Sequence, residues 1–380
     1  MSGENSQTKE PRLRVLMTTD TVGGVWQYCV DLLSALAQHG VEVLLATLGP
    51  PPSEEQKHQL EGIPHLRVVE SEFALEWMQD PWRDVDASGE WLLGLQREFK
   101  ADVIHLNGFS HGVLAWGAPV VVAAHSCVVS WWAAVHACAP GPEWDEYKRR
   151  VTEGLRASSI VVAPTHHVRR EMERHYDITP TKIRVIHNFS DTEPYHADKQ
   201  AYCLAAGRIW DKAKNLEMLD HVARRIHWPV RVAGNNLGPQ NAETLATSVE
   251  LLGPLPHDEL LRHMGAASIF IHPALYEPFG LAVLEAARSK CCLVLADIPS
   301  LRELWDGAAV FIDPRDENQW AFELNRLCED RCRREDYASR AFIRSAEYSA
   351  SRALSAYLDV YRSAISAREQ KNADREGVAA

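Results

Sequence analysis

Strand-length apolar runs alternating with stretches of helical pattern, twice over, are the feature that most limits what this chain can fold into. In the first half the runs are Leu13–Thr19, Val41–Leu48, Asp102–Asn107, Val120–His125, Ile160–Pro164 and Arg184–His187. The second half restarts the rhythm with Cys203–Ala206, Val230–Ala233, Val249–Leu252, Ile269–His272, Cys292–Ala296 and Val310–Ile312. Strands separated by helices are joined by crossovers, so the sheets are expected to be parallel and the class α/β. Continuous apolar runs such as Pro119-Val-Val-Val-Ala-Ala suit strands buried on both faces. A polar, proline-containing stretch, Asn188–Gln200, separates the two sets and reads as a linker. At 380 residues the chain exceeds one ordinary core, and its length alone suggests roughly two to three domains. Two doubly wound domains joined at that linker would form a cleft, with ligands bound beyond the carboxyl ends of the strands.

Composition removes several other classes of function. The net charge of −12 disfavours nucleic acid and anionic lipid as main partners. Arg169, Arg170 and Arg174 share a helical stretch with Glu171 and Glu173, which favours a solvated face and leaves membrane association as the lesser reading. No run approaches the ~18 apolar residues of a membrane helix. The start, Met1–Arg14, is polar and carries no apolar secretory core, so a cytoplasmic location is expected. Eight cysteines without a CxxC pair suggest free thiols. Cys328 and Cys332, four apart, are expected on one helix face as packing residues, because no second ligand pair accompanies them. Asp84-Val-Asp86 has a metal-binding spacing, but it reads as a solvent-exposed pair, and no metal is expected.

Chemistry-bearing residues gather where strands end. After the first strand, Thr18-Thr-Asp-Thr-Val-Gly23-Gly24 leads into a helix, and glycines there let a diphosphate approach the backbone and the helix N-terminus. A bare turn explains the glycine pair as well. The strand Tyr202–Gly207 is followed by Arg208, Lys212, Lys214 and Asn215, cations that can converge on a phosphate. Taken alone, such a cluster is more often surface. Glu277 and Glu285 lie eight apart in a strand-to-turn-to-helix segment, with Phe279, Gly280 and Leu281 at the helix start, where amide N–H groups lack intrahelical partners. His125 ends the apolar strand Pro119–Ala124, where its ring can bond a hydroxyl, carry charge, or serve as a hydrogen-bonded structural group. Leu252–Leu260, which contains Gly253 and Leu255, reads as a strand, a turn and an Asp-capped helix. Trp131-Trp132 offers either aromatic faces on which a sugar ring can stack or ordinary packing.

In their order, Gly23-Gly24, Gly207-Arg208 with Lys214-Asn215, Gly253 and Glu277 with Glu285 resemble the motifs of retaining, family 4 type nucleotide-sugar glycosyltransferases, whose E-x7-E segment is the most specific. The resemblance covers nearly the whole chain. It implies a GT-B fold, two Rossmann-like domains at residues 1–187 and 188–350 facing each other across a cleft, with a terminal helix at 351–366 crossing back to the first. It implies a donor nucleoside-diphosphate sugar, with UDP-glucose first and GDP-mannose or UDP-N-acetylglucosamine next, and a carbohydrate or small-molecule acceptor. No cofactor is implied. Arg208 and Lys214 would clamp the pyrophosphate, Lys214 being chosen over Lys212 because Asn215 follows it. Glu285 would take the ribose hydroxyls, Glu277 and His125 the donor sugar, the amides of Phe279 to Leu281 the sugar or phosphates, Gly23 and Gly24 the diphosphate, and the loop with Gly253 and Leu255 the base. Two departures stand out: Phe189 and Ser190 in the segment Asn188–Asp191, and Lys290-Cys291-Cys292 where glycine and small residues are usual. A sugar-nucleotide epimerase or hydrolase, or a non-catalytic sugar-nucleotide-binding subunit, is the alternative.

Overall fold

A computed structural model describes residues 12–235 and 246–379. Among these residues the first sheet has seven strands: β1 Arg14–Asp20, β2 Glu42–Leu48, β3 Leu66–Val69, β4 Val103–Leu106, β5 Val120–Ala123, β6 Ile160–Ala163 and β7 Ile183–Val185. The second has six: β8 Gln200–Ala206, β9 Val230–Ala233, β10 Glu250–Gly253, β11 Ala267–His272, β12 Cys292–Ala296 and β13 Val310–Ile312. Every pairing is parallel, in the orders β3-β2-β1-β4-β5-β6-β7 and β10-β9-β8-β11-β12-β13. Each order reverses direction once, between β1 and β4 and between β8 and β11. Such switch points leave a crevice at the strands' carboxyl ends.

The apolar runs explain the layering. Every residue of β4, β5, β11 and β12 is buried, as strands covered by helices on both faces require. β3 has no place among the sequence expectations. It is a four-residue edge strand with Arg67 and Val68 exposed, so it lacks the apolar run that marks the others.

No helix or strand is assigned between β7 and β8 until Gln200, in keeping with the linker composition. The chain returns to the first sheet through the helix Ala350–Ala379, whose Ala353, Leu354, Tyr357, Val360, Tyr361 and Ala364 recur at helical spacing in that sheet's core. This helix runs well past Glu369, beyond the segment 351–366. Tyr357 and Tyr361 tie it down through hydroxyl bonds of 2.6 Å to Tyr28 and to His105 Nδ1.

One local expectation is corrected, and one departure is accommodated. Cys328 ends the helix Glu317–Glu329 and Cys332 lies in the next one, Arg331–Ser345, because Asp330 breaks the run by capping the second helix. Lys290 adopts φ 58°, the left-handed backbone that glycine would supply, so the turn after the helix Leu281–Arg288 keeps its shape. All eight cysteines are free thiols. Among the described residues, no helix is long and apolar enough to cross a membrane.

Candidate active site

A cleft of about 390 Å³ opens between the two sheets, lined by segments that follow β1, β5, β8 and β11. β1, β8 and β11 flank the two switch points, and β5 lies next to β4 at the first of them. It gathers Gly23, Gly24, His125, Arg208, Lys214, Glu277, Phe279, Gly280, Leu281 and Glu285, residues scattered over most of the chain. Gly253 and Leu255 do not line it; Leu255 packs on the second sheet's core, and the same loop reaches the cleft through His257.

On the second-domain side, Lys214 Nζ donates to Glu277 Oε2 at 2.7 Å. The same oxygen faces His272 Nε2 at 2.9 Å. Burial alone would raise the Glu277 carboxyl, but the Lys214 ammonium and the His272 bond outweigh it and hold the group well below the usual carboxylate range. Burial lowers the His272 pKa despite that neighbour. A neutral His272 facing a carboxylate must carry its proton on Nε2, because the carboxylate only accepts. Lys214 lines the cleft, whereas Lys212 is exposed and outside it.

Arg208 reaches across the cleft. A Cβ built on Gly23 would lie 3.2 Å from Arg208 Cδ, and Gly23 holds φ 86°, so this close approach uses a residue without a side chain in a left-handed backbone. Gly23 and Gly24 open the helix Gly24–Gln38, which no side chain caps. Gly280, at φ 86°, opens Leu281–Arg288 in the same uncapped way. Two helix N-termini, one from each domain, therefore present unpartnered amides beside Arg208 and Lys214. Charges and amides so arranged suit an anion.

Glu285 is buried and its Oε1 faces His257 Nε2 at 2.9 Å. Burial pulls the His257 pKa down, but the Glu285 bond more than offsets it, so the net shift is upward. On the first-domain side, Asn107 donates its Nδ2 to the Thr18 carbonyl and to Cys29 Sγ, which leaves Oδ1 to accept from His125 Nε2 at 2.7 Å. The His125 proton is thereby assigned to Nε2. Burial lowers its pKa to about 4, so the ring is neutral and serves as a hydrogen-bonding group rather than a carrier of charge. Tyr28 stacks edge-on at 4.4 Å.

Several cleft residues were missed by sequence reasoning. Asp20 ends β1, accepts from Val22 N–H at 2.9 Å, and is pushed by burial up to about 6. Asp211, His257 and His272 also line the cleft. Asp211 left a signal in its place between Arg208 and Lys214, and His257 in its place within the loop Leu252–Leu260. Of the tryptophan pair, Trp131 lines the cleft and donates its Nε1–H to Asp211 at 3.0 Å, while Trp132 packs on His136 and Trp144. Asn188 lines the cleft and Asp191 does not. Asp84 accepts from Ala74 N–H and Asp86 pairs with Arg150, so the two carboxylates serve separate contacts. Among the described residues, no three His, Cys, Asp or Glu side chains could together hold a metal ion.

Residues 22–194 match the family described as Glycosyltransferase Family 4, and residues 200–330 match Glycosyl transferases group 1. The D-inositol 3-phosphate glycosyltransferase of Corynebacterium diphtheriae is 25% identical over 373 residues, covering 86% of each chain. Sucrose-phosphate synthase from Thermosynechococcus elongatus superposes with a TM-score of 0.80 at 17% identity, over 94% of this chain and 100% of that one. Anabaena Alr3699/HepE, solved in complex with UDP and glucose, gives 0.75 at 16% identity, over 93% and 100%. The fold is GT-B and the protein is a glycosyltransferase. Matched in both halves, the chain belongs to the family 4 type of these enzymes.

Proposed function

We propose that the cleft takes a nucleoside-diphosphate sugar and transfers the sugar, with retained anomeric configuration, to a hydroxyl of a carbohydrate or small-molecule acceptor. The observation that carries this reading is the convergence of Arg208, Lys214 and two uncapped helix N-termini on one space beside the buried carboxylate Glu277. A departing diphosphate needs such preorganised positive charge, and Arg208 and Lys214 supply it without a metal ion. The bond from the anomeric carbon to the phosphate oxygen breaks with its electron pair leaving on the diphosphate. The acceptor oxygen bonds the carbon on the same face, and its proton passes to the leaving oxygen. Glu277 and neutral His125 bond the sugar's hydroxyls, and Glu285 takes the ribose. The donor lies mainly on residues 188–350, and the acceptor enters from residues 1–187.

UDP-glucose is the first donor to try, in line with the UDP and glucose bound by the Anabaena protein, followed by GDP-mannose and UDP-N-acetylglucosamine. The name of the Corynebacterium relative adds inositol phosphates to the acceptors. A donor that binds stabilises the fold by about 2.7 kcal/mol at a hundredfold excess over its Kd, so a thermal-shift screen identifies it. Proton NMR of the product with that donor then reads the anomeric configuration. Retention is expected, and inversion contradicts the proposal. Donor conversion without any glycosylated product points to an epimerase or hydrolase, and binding without turnover to a sugar-nucleotide-binding subunit.

A further inference from the structure

Asp211 is 6% exposed and stands between Arg208 and Lys214 in the chain. Its Oδ2 accepts from Arg208 Nη2 at 3.1 Å, and its Oδ1 from Ala213 N–H at 2.9 Å. Its backbone carbonyl accepts from Lys214 N–H at 2.8 Å, closing the short turn Lys212–Lys214 that carries Lys214 towards Glu277. One residue thus fixes the Arg208 guanidinium and shapes the turn that presents Lys214. The remaining donor comes from the other domain. Trp131, on the helix Val128–His136 that follows His125, gives its Nε1–H to Asp211 Oδ1 at 3.0 Å.

We propose that Asp211 is a positioning residue for both cations, and that its bond to Trp131 ties their placement to closure of the two domains. This rests on Arg208 and Lys214 receiving the donor's diphosphate. A buried carboxylate draws on every donor it has, and losing one leaves it more dependent on the rest. With the domains apart, Asp211 holds Arg208 with no indole to share its charge. With the domains together, the indole takes part of that charge, and Arg208 lies against Gly23 at the uncapped start of Gly24–Gln38. Closure therefore delivers a less neutralised Arg208 to the anion site. By reciprocity, an anion that engages Arg208 favours closure by the same factor.

The test is a double-mutant cycle read by calorimetric titration with inorganic pyrophosphate. Trp131→Phe keeps a ring and removes the N–H, and should weaken pyrophosphate binding about fivefold, the net effect of one hydrogen bond. In an Asp211→Ala background the same change should cost less than about twofold, since the link is already cut. An equal factor in both backgrounds, or native affinity in Trp131→Phe, overturns the proposal. Arg208→Ala and Lys214→Ala are the controls. If they leave pyrophosphate affinity unchanged, the donor-site reading has failed; if they weaken it while the cycle is additive, only the role of Asp211 has failed. Small-angle scattering covers the case in which Asp211→Ala does not fold. At saturating pyrophosphate, Trp131→Phe should have a larger radius of gyration than the native chain, and equal radii contradict the link to closure.

Discussion

Glu277 and Glu285 line one cleft in different surroundings, and the proposed function gives them different work. Glu277 is shared by an ammonium and a neutral imidazole on one oxygen, whereas Glu285 faces the His257 ring. Glu277→Gln removes the charge that holds Lys214 and should leave affinity for bare UDP undiminished while lowering turnover about a hundredfold, as expected for loss of one preorganised contact. Glu285→Gln should weaken UDP and the full donor by one common factor of about ten, a loss seen in KM. Titration with UDP and steady-state kinetics on the same preparations check both. Equal loss of UDP affinity in the two variants contradicts the division. The glutamates were legible because their spacing around a helix start is local. Their partners were not: His257 reaches Glu285 across 28 residues of chain and Trp131 reaches Asp211 across 80, so only tertiary packing reveals those pairs.

Two uncapped helix starts flank the proposed anion site, and glycine serves differently at each neighbouring position. Gly23 needs its left-handed backbone and its clearance from Arg208. Gly24 needs neither, because a Cβ there meets nothing within 4 Å and the residue already lies in the helix. Gly24→Ala should therefore fold with native or slightly higher stability, alanine being the better helix former by up to about 1 kcal/mol, while its methyl enters the space a diphosphate would fill. Lower UDP affinity at unchanged melting temperature is the expected result, and native affinity would assign Gly24 to the turn alone. At this scale most of the fold could be read ahead of the structure. Every strand except β3 was expected within a few residues of its position, because buried parallel strands are continuous apolar runs. β3 escaped because an edge strand needs no such run, and the Cys328–Cys332 spacing misled because a capping aspartate between them ends one helix and starts another.

Across the whole molecule, two sheets present their switch points to each other, and the cleft between them collects residues from Asp20 to Glu285. Motif order in the sequence pointed to this cleft. What the sequence left open was how the halves meet, since bonds such as His257 N–H to Glu55 and Thr165 to the Pro278 carbonyl join segments more than a hundred residues apart. The central claim is that positive charge at the end of β8 carries the departing diphosphate. Its most direct test is the turnover of the Arg208→Ala/Lys214→Ala double variant with the donor selected by thermal shift, assayed in the presence of a chelator and with the fold checked by circular dichroism. Turnover should fall by at least about two to three orders of magnitude in the folded variant, while the native enzyme keeps its rate in chelator. Native turnover in the double variant, or a native enzyme silenced by chelator and restored by a divalent ion, would contradict the account.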